Sequence, residues 1–252
     1  MPNQNTKQGI SSTHIAFIAM FATLAGVLYI LDFALPFAFP GFLEFKLSDI
    51  PILIGSFTLG PVSGAVIVVV EILIKLVIKG SSTVFVGELS DLVTSCVFAV
   101  TAGIIYKKHR TFKGALVGMA IGTAAEVIIA MLFNWLVLVP FYVQVFFGGS
   151  WTPLIGMMKP LFPACTESTF YSFYLWASVL PFNLLRCLVA IGVTLLVYKR
   201  ISRLINSVNR KIYGKPDYDE KKSKKTTIIL VCAGVAIVAL LVTFALLRYF
   251  VF

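Results

Sequence analysis

The sequence predicts an all-α membrane protein: six transmembrane helices in one bundle, with a seventh helix at the C-terminal end. Three observations carry that expectation. Apolar residues make up 59% of the 252 positions, mean hydropathy is +0.95, and most charges fall between long apolar runs rather than within them. A soluble domain holds about 45–50% apolar residues, so this chain calls for a hydrocarbon solvent.

A bilayer core of ~30 Å takes ~20 residues of helix, with a working range of about 17–25. Residues 14–35, 62–79, 86–106, 114–139, 175–199 and 226–250 supply runs of that kind. Residues 49–60 form a shorter run that closes on Gly60-Pro61, a turn signal, and pair as a short helix with the one that follows. Residues 1–13 form a polar tail that lacks the charged region, apolar stretch and cleavage site of a removable signal; the first helix is expected in the mature protein. Residues 14–205 read as one helical membrane domain, 206–225 as a basic cytoplasmic linker, and 226–252 as a transmembrane helix that follows the run KKSKK. The absence of an internal repeat argues against carriers built from repeated halves.

Charge placement sets the orientation. Of 21 Lys and Arg, four lie in the turn Lys107 to Lys113, ten lie between Lys199 and Lys225, and one is Lys7. Cytoplasmic loops are the ones enriched in Lys and Arg, so the N-terminus and the 107–113 turn are expected inside. Loops 32–48, 80–86 and 140–174 then face outward, and Phe252 ends outside. This clustering at loops accounts for the net charge of +10 without a nucleic-acid partner. Cys96, Cys165, Cys187 and Cys232 show no CxxC spacing and read as apolar packing residues, with neither a disulfide nor a metal site expected. The chain has no GxxxxGK[ST] loop, no HExxH and no Ser/His/Asp arrangement. It is expected to be no enzyme, and partners must supply any ATP-derived energy.

Polar groups inside apolar helices are costly and mark functional sites. Those in or beside the runs are Asp49, Glu71, Lys75, Glu88, Asp91, Glu126, Asn134, Asn183 and Arg186. Glu71 and Lys75 are four apart on one helix face and are expected to neutralise each other. Glu88 opens a helix, where exposed backbone N–H groups suit an acidic cap or a polar ligand. Asn134 and Asn183 offer both donors and acceptors, and Asn183 and Arg186 project from one face. Two amides at similar depth with a cation beside them favour a ligand over a helix-to-helix hydrogen bond. The loop from Leu35 to Leu47, with Phe37, Phe39, Phe42 and Phe45, is either an interfacial aromatic belt or a lid over a flat ring. Ala16, Ala19, Ala22 and Gly26 form a small-residue row on the first helix, suited to close helix approach, either inside the bundle or against a partner.

The segments LPFAFPGF, LSDIP, VGEL, PFNL and the FNxxxxxP that starts at Phe133 together resemble the riboflavin-specific S components (the RibU family) of energy-coupling-factor (ECF) vitamin transporters, over roughly Ile15 to Ser202. The resemblance implies a six-helix S-component bundle in the cell membrane that binds riboflavin, or FMN, as transported ligand and no cofactor. It implies Leu43, Phe45, Lys46, Glu88, Asp91, Asn134, Asn183 and Arg186 as substrate-binding residues. It implies the row Ala16, Ala19, Ala22 and Gly26 as the docking face for an ECF transmembrane coupling subunit, itself joined to two ABC ATPases. Three positions depart from the family pattern: Lys46 stands where an acid is expected, Asp91 where an Asn is, and Arg186 where a Lys is. The alternatives are an S component for pantothenate, folate or thiamine, and a membrane scaffold subunit that binds no solute.

Overall fold

A computed structural model describes residues 12–213. The tail to residue 11, the C-terminal helix expected at 226–250 and most of the expected linker lie outside the described residues. Helix α1 is Ser12–Ile30, and a two-residue hairpin follows, β1 (Phe33–Ala34) and β2 (Glu44–Phe45), antiparallel with Phe33 opposite Phe45. Then come α2 (Asp49–Leu59), α3 (Pro61–Ile78) and α4 (Val86–Lys108). Helix α5 runs Phe112–Phe146, the short α6 is Thr152–Met158, and α7 runs from Ser172 to Tyr213. Five helices, α1, α3, α4, α5 and α7, are long and apolar enough to cross a membrane, and α2 completes a six-helix bundle.

Helix α2 is the axis of that bundle. Nine of its eleven residues are buried, as expected of a helix that is apolar all round, and it packs against α1, α3, α4 and α7. At 1.5 Å per residue it covers about half of a bilayer core. Gly60, at φ +100°, makes the whole turn into α3; that left-handed conformation is one a side chain disfavours. Pro61 then opens α3, where its missing N–H costs nothing.

Helices α4 and α5 form an antiparallel pair held backbone to backbone. A Cβ at Gly118 would lie 2.8 Å from the Ala102 carbonyl oxygen, and one at Gly122 would lie 3.0 Å from that of Phe98. A glycine every fourth residue therefore lets the two helices touch along a seam, the close approach that helix pairs in lipid rely on. Thr111 caps α5, its hydroxyl accepting from Gly114 N–H at 3.0 Å.

The sequence reading ends the fifth helix at 139, before Pro140, but α5 continues to Phe146. It does so by opening into wide i→i+5 turns over Asn134–Leu138 and Tyr142–Phe146, which flank the short α turn Val139–Phe141 that holds Pro140, a residue with no N–H to give. Helix α7 begins the same way over Ser172–Val179. It then continues as a regular helix to Tyr213, through residues 206–213 that the sequence reading gave to the linker. The α6 helix lies in a stretch read as loop.

Candidate functional site

The loop between α1 and α2 folds its aromatic rings onto α7 around Phe182. Phe45 is buried and meets Phe182 edge-on at 6.3 Å, with Phe39 at 5.3 Å from the same ring. Leu43 packs against this cluster while half-buried. Phe42 remains partly exposed, its ring 5.7 Å from that of Tyr174. The loop is thus seated on the bundle, with aromatic faces lining its contact with α7.

Two amides lie beside those rings. The Asn134 Nδ2 donates to the Ala130 carbonyl at 2.8 Å, and its Oδ1 accepts from the Tyr174 hydroxyl at 2.5 Å. The Asn183 Nδ2 donates to the Val179 carbonyl at 2.8 Å. Ala130 and Val179, which hold the two amides, belong to one buried apolar cluster, so the side chains stand on facing helices. Asn183 is buried, and among the described residues no group bonds its Oδ1. Tyr174, which the sequence reading passed over, occupies the Asn134 amide oxygen; its only signal was a tyrosine in an otherwise apolar run.

Beneath the rings lies a buried charge network. Lys46 Nζ donates to Ser95 Oγ at 3.1 Å and pairs with Asp91 Oδ1 at 3.4 Å. Ser95 Oγ donates to Asp49 Oδ1 at 3.0 Å. The Arg186 guanidinium reaches three carboxylates: Glu126 at 2.6 Å, Asp49 at 3.2 Å and Asp91 at 3.6 Å. Tyr29 OH donates to the other oxygen of Asp91, and Cys187 Sγ contacts Glu126 at 3.5 Å. Of the ion-paired groups, Lys46, Asp49, Glu126 and Arg186 are at most 4% exposed, while Asp91 keeps 28% of its side chain open. The network therefore presents Asp91 as its open edge. The structure brings together the sequence-selected Lys46, Asp91 and Arg186, and three carboxylates surround the guanidinium.

Glu88 and Lys75 form a second buried pair, which overturns the expected Glu71–Lys75 neutralisation. Lys75 donates to Glu88 Oε1, while Ser81 and Thr83 donate to Oε2 at 2.8 and 2.9 Å. The first turn of α4 faces α3, and the long lysine side chain crosses to the acid that already has two hydroxyl donors. Both oxygens of Glu88 are thus occupied by protein groups, so the acid fastens the α3–α4 loop and is no open contact for a ligand. Both carboxylate oxygens of Glu71 are left buried without a hydrogen-bond partner.

The small-residue row on α1 divides. Ala16 and Ala19 are exposed, whereas Ala22 and Gly26 are buried. A Cβ at Gly26 would lie 2.8 Å from Ile74 Cγ2 of α3. This corrects the expectation for Ala22 and Gly26: their small size serves α1–α3 packing, because three-residue steps drift round a 3.6-residue helix.

Taken as chemistry, the arrangement suits a flat heteroaromatic solute: ring faces for stacking and an amide for an edge of alternating donors and acceptors. The comparisons with known proteins agree with that. The family description "ECF transporter, substrate-specific component" matches residues 13–198. The riboflavin transporter RibU of Staphylococcus aureus is 27% identical over 191 residues, 76% of this chain and 91% of that protein. RibU of Lactococcus lactis is 30% identical over 201 residues, 74% of this chain and 93% of the relative. The riboflavin transporter FmnP of Bacillus subtilis is 26% identical over 188 residues, covering 74% and 90%. A solved structure of the S component of a bacterial ECF transporter superposes with a TM-score of 0.58 at 27% identity, covering 76% of this chain and 96% of that one.

Proposed function

This chain belongs to the ECF transporter substrate-specific component family, and from that premise we propose that it captures riboflavin at the outer face of the membrane for import. The observation that carries the reading is the pairing of aromatic faces with a buried amide acceptor, Asn183 Oδ1, where the hairpin loop meets α7. Leu43, Phe42 and Phe45 supply apolar surface, Asn183 and Asn134 the amide edge, and Asp91 a carboxylate acceptor for hydroxyl donors.

The same electrostatics favour riboflavin over FMN. Lys46 and Arg186 face Asp49, Asp91 and Glu126, so these two cations are already outnumbered by carboxylates. A phosphate would meet the open Asp91 carboxylate with no spare positive charge behind it. Energy would come from a transmembrane coupling subunit and two ABC ATPases, because the chain has no nucleotide-binding loop. The exposed Ala16 and Ala19 face is the proposed docking surface, and the Lys/Arg-rich 107–113 turn supports a cytoplasmic N-terminus.

Titrating the purified protein with riboflavin, read by flavin absorbance and fluorescence, tests this directly. Saturable one-to-one binding is expected, with FMN bound more weakly. Protein that ignores riboflavin but binds pantothenate, folate or thiamine would establish a different vitamin, and protein that binds none of them would establish a scaffold.

A further inference from the structure

Among the described residues, Glu71 is the one buried acid with neither oxygen held by an ion pair or a hydrogen bond. It lies on α3, fully buried, and neither carboxylate oxygen has a hydrogen-bond partner. An ionised carboxylate held in that way is among the costliest groups a protein interior can hold, and it neutralises unless a cation or donors compensate. The cations nearby are already committed, and the adjoining Ser48 hydroxyl is a single neutral donor that cannot replace one. Lys75, one turn along the same helix, is bound to Glu88. From the loop before α2, Lys46 is bonded to Ser95 and paired with Asp91. Tyr29 of α1 donates to Asp91, and Arg186 of α7 is shared among Asp49, Glu126 and Asp91. The remaining ionisable groups near Glu71 are Asp49 of α2 and Asp91 and Cys96 of α4, none of which brings positive charge.

We propose that Glu71 is a proton-binding site, and that the bundle holds this residue as a neutral carboxylic acid at neutral pH. A protonated glutamate carries an O–H donor. The adjoining Ser48 hydroxyl, itself buried without a partner, has an O–H and lone pairs to offer, so a neutral Glu71 can exchange a hydrogen bond with it in either direction, and one proton removes the uncompensated charge. The bound proton also keeps Lys46 on Asp91, because an ionised Glu71 would compete for the same ammonium. The inference stands whichever solute the outer site takes.

Infrared spectroscopy of the full chain in nanodiscs at neutral pH tests it through the carbonyl stretch of un-ionised carboxyl groups. Glu71→Gln replaces the neutral acid by an amide of equal size; it should remove one such band and shift the thermal midpoint by less than roughly 3 °C. Glu71→Met asks the same question without an amide and should remove the same band. A spectrum unchanged by both substitutions overturns the proposal. So does failure of both variants to fold, since that result would mean the bundle needs the negative charge.

Discussion

Lys46 and Asp91 pair at 3.4 Å, and these are two of the three positions where the sequence departs from the riboflavin-family pattern. Lys46 puts a cation where the pattern has an acid, and Asp91 adds a carboxylate beside it, so the second departure partly offsets the first. Lys46→Met should destabilise the protein by about 1–3 kcal/mol, the usual cost of orphaning a buried partner. Adding Asp91→Asn should cost less than the two single changes combined. A double-mutant cycle on thermal unfolding measures that coupling, and simple additivity would show that the two charges act separately.

Arg186→Lys returns the third departure to the family residue, yet the structure predicts a loss of stability. An ammonium is a point charge that cannot span three carboxylates as a planar fork does. The expected loss is about 1–3 kcal/mol, with riboflavin affinity changed less than by Asn183→Ala. Equal stability of the variant and the parent protein would remove Arg186 from the centre of the network.

Asn183 and Asn134 should separate when each is replaced by Ala. Asn183 Oδ1 has no partner among the described residues, so its loss should weaken riboflavin binding by roughly ten- to a hundredfold, from ~1–3 kcal/mol at ~1.4 kcal/mol per decade. Asn134→Ala also strands the Tyr174 hydroxyl and should lower the thermal midpoint. Calorimetry with melting curves distinguishes them, and full affinity in Asn183→Ala would move the site elsewhere.

Lys79, Asp32 and Glu44 join the hairpin to the end of α3. Partial burial, then the neighbouring Asp32, raises the Glu44 carboxyl above its ordinary range. Burial works against the Lys79 ammonium, but its hydrogen bond to Asp32 and the charge of Glu44 outweigh that and hold it above its ordinary value. Folding therefore favours protonated Glu44. Its contribution is fully present below the unfolded value of about 4.3 and is lost as pH rises through the folded-state value. Glu44→Gln should melt higher than the parent protein at pH 7 and gain less on acidification; an identical pH profile would discount the pair.

Ala19→Phe should abolish uptake by the assembled transporter while leaving riboflavin binding by the isolated chain intact, because Ala19 is exposed. Gly26→Leu should instead lower stability, since its side chain would strike Ile74. The reverse pattern in transport and melting assays would turn α1 round.

Helix existence was legible because each long span is an apolar run with few charges, and α2 ends at the Gly60-Pro61 break that marks it in the sequence. The continuation of α5 past Pro140 was not, since a proline at that place usually stops a helix and only tertiary packing selects the wide turns that accommodate it. For the site, the asparagines and charged residues stood out as costly groups in apolar runs. Their partners did not: Lys75 is nearer Glu71 in sequence, and Arg186 reaches Glu126 across 60 positions. Spacing along one helix reports neighbours on that helix alone. The Gly118/Gly122 seam was readable as a four-residue glycine repeat, a signal the row on α1 overshadowed.

The ion network ties α2, α4, α5 and α7 to one guanidinium, and the glycine seam locks α4 to α5 along its length. Directly beside the network, through Lys46, stands the hairpin of two-residue strands. Mechanically, those four helices share one hub: displacing any of them works against the same guanidinium and its three carboxylates.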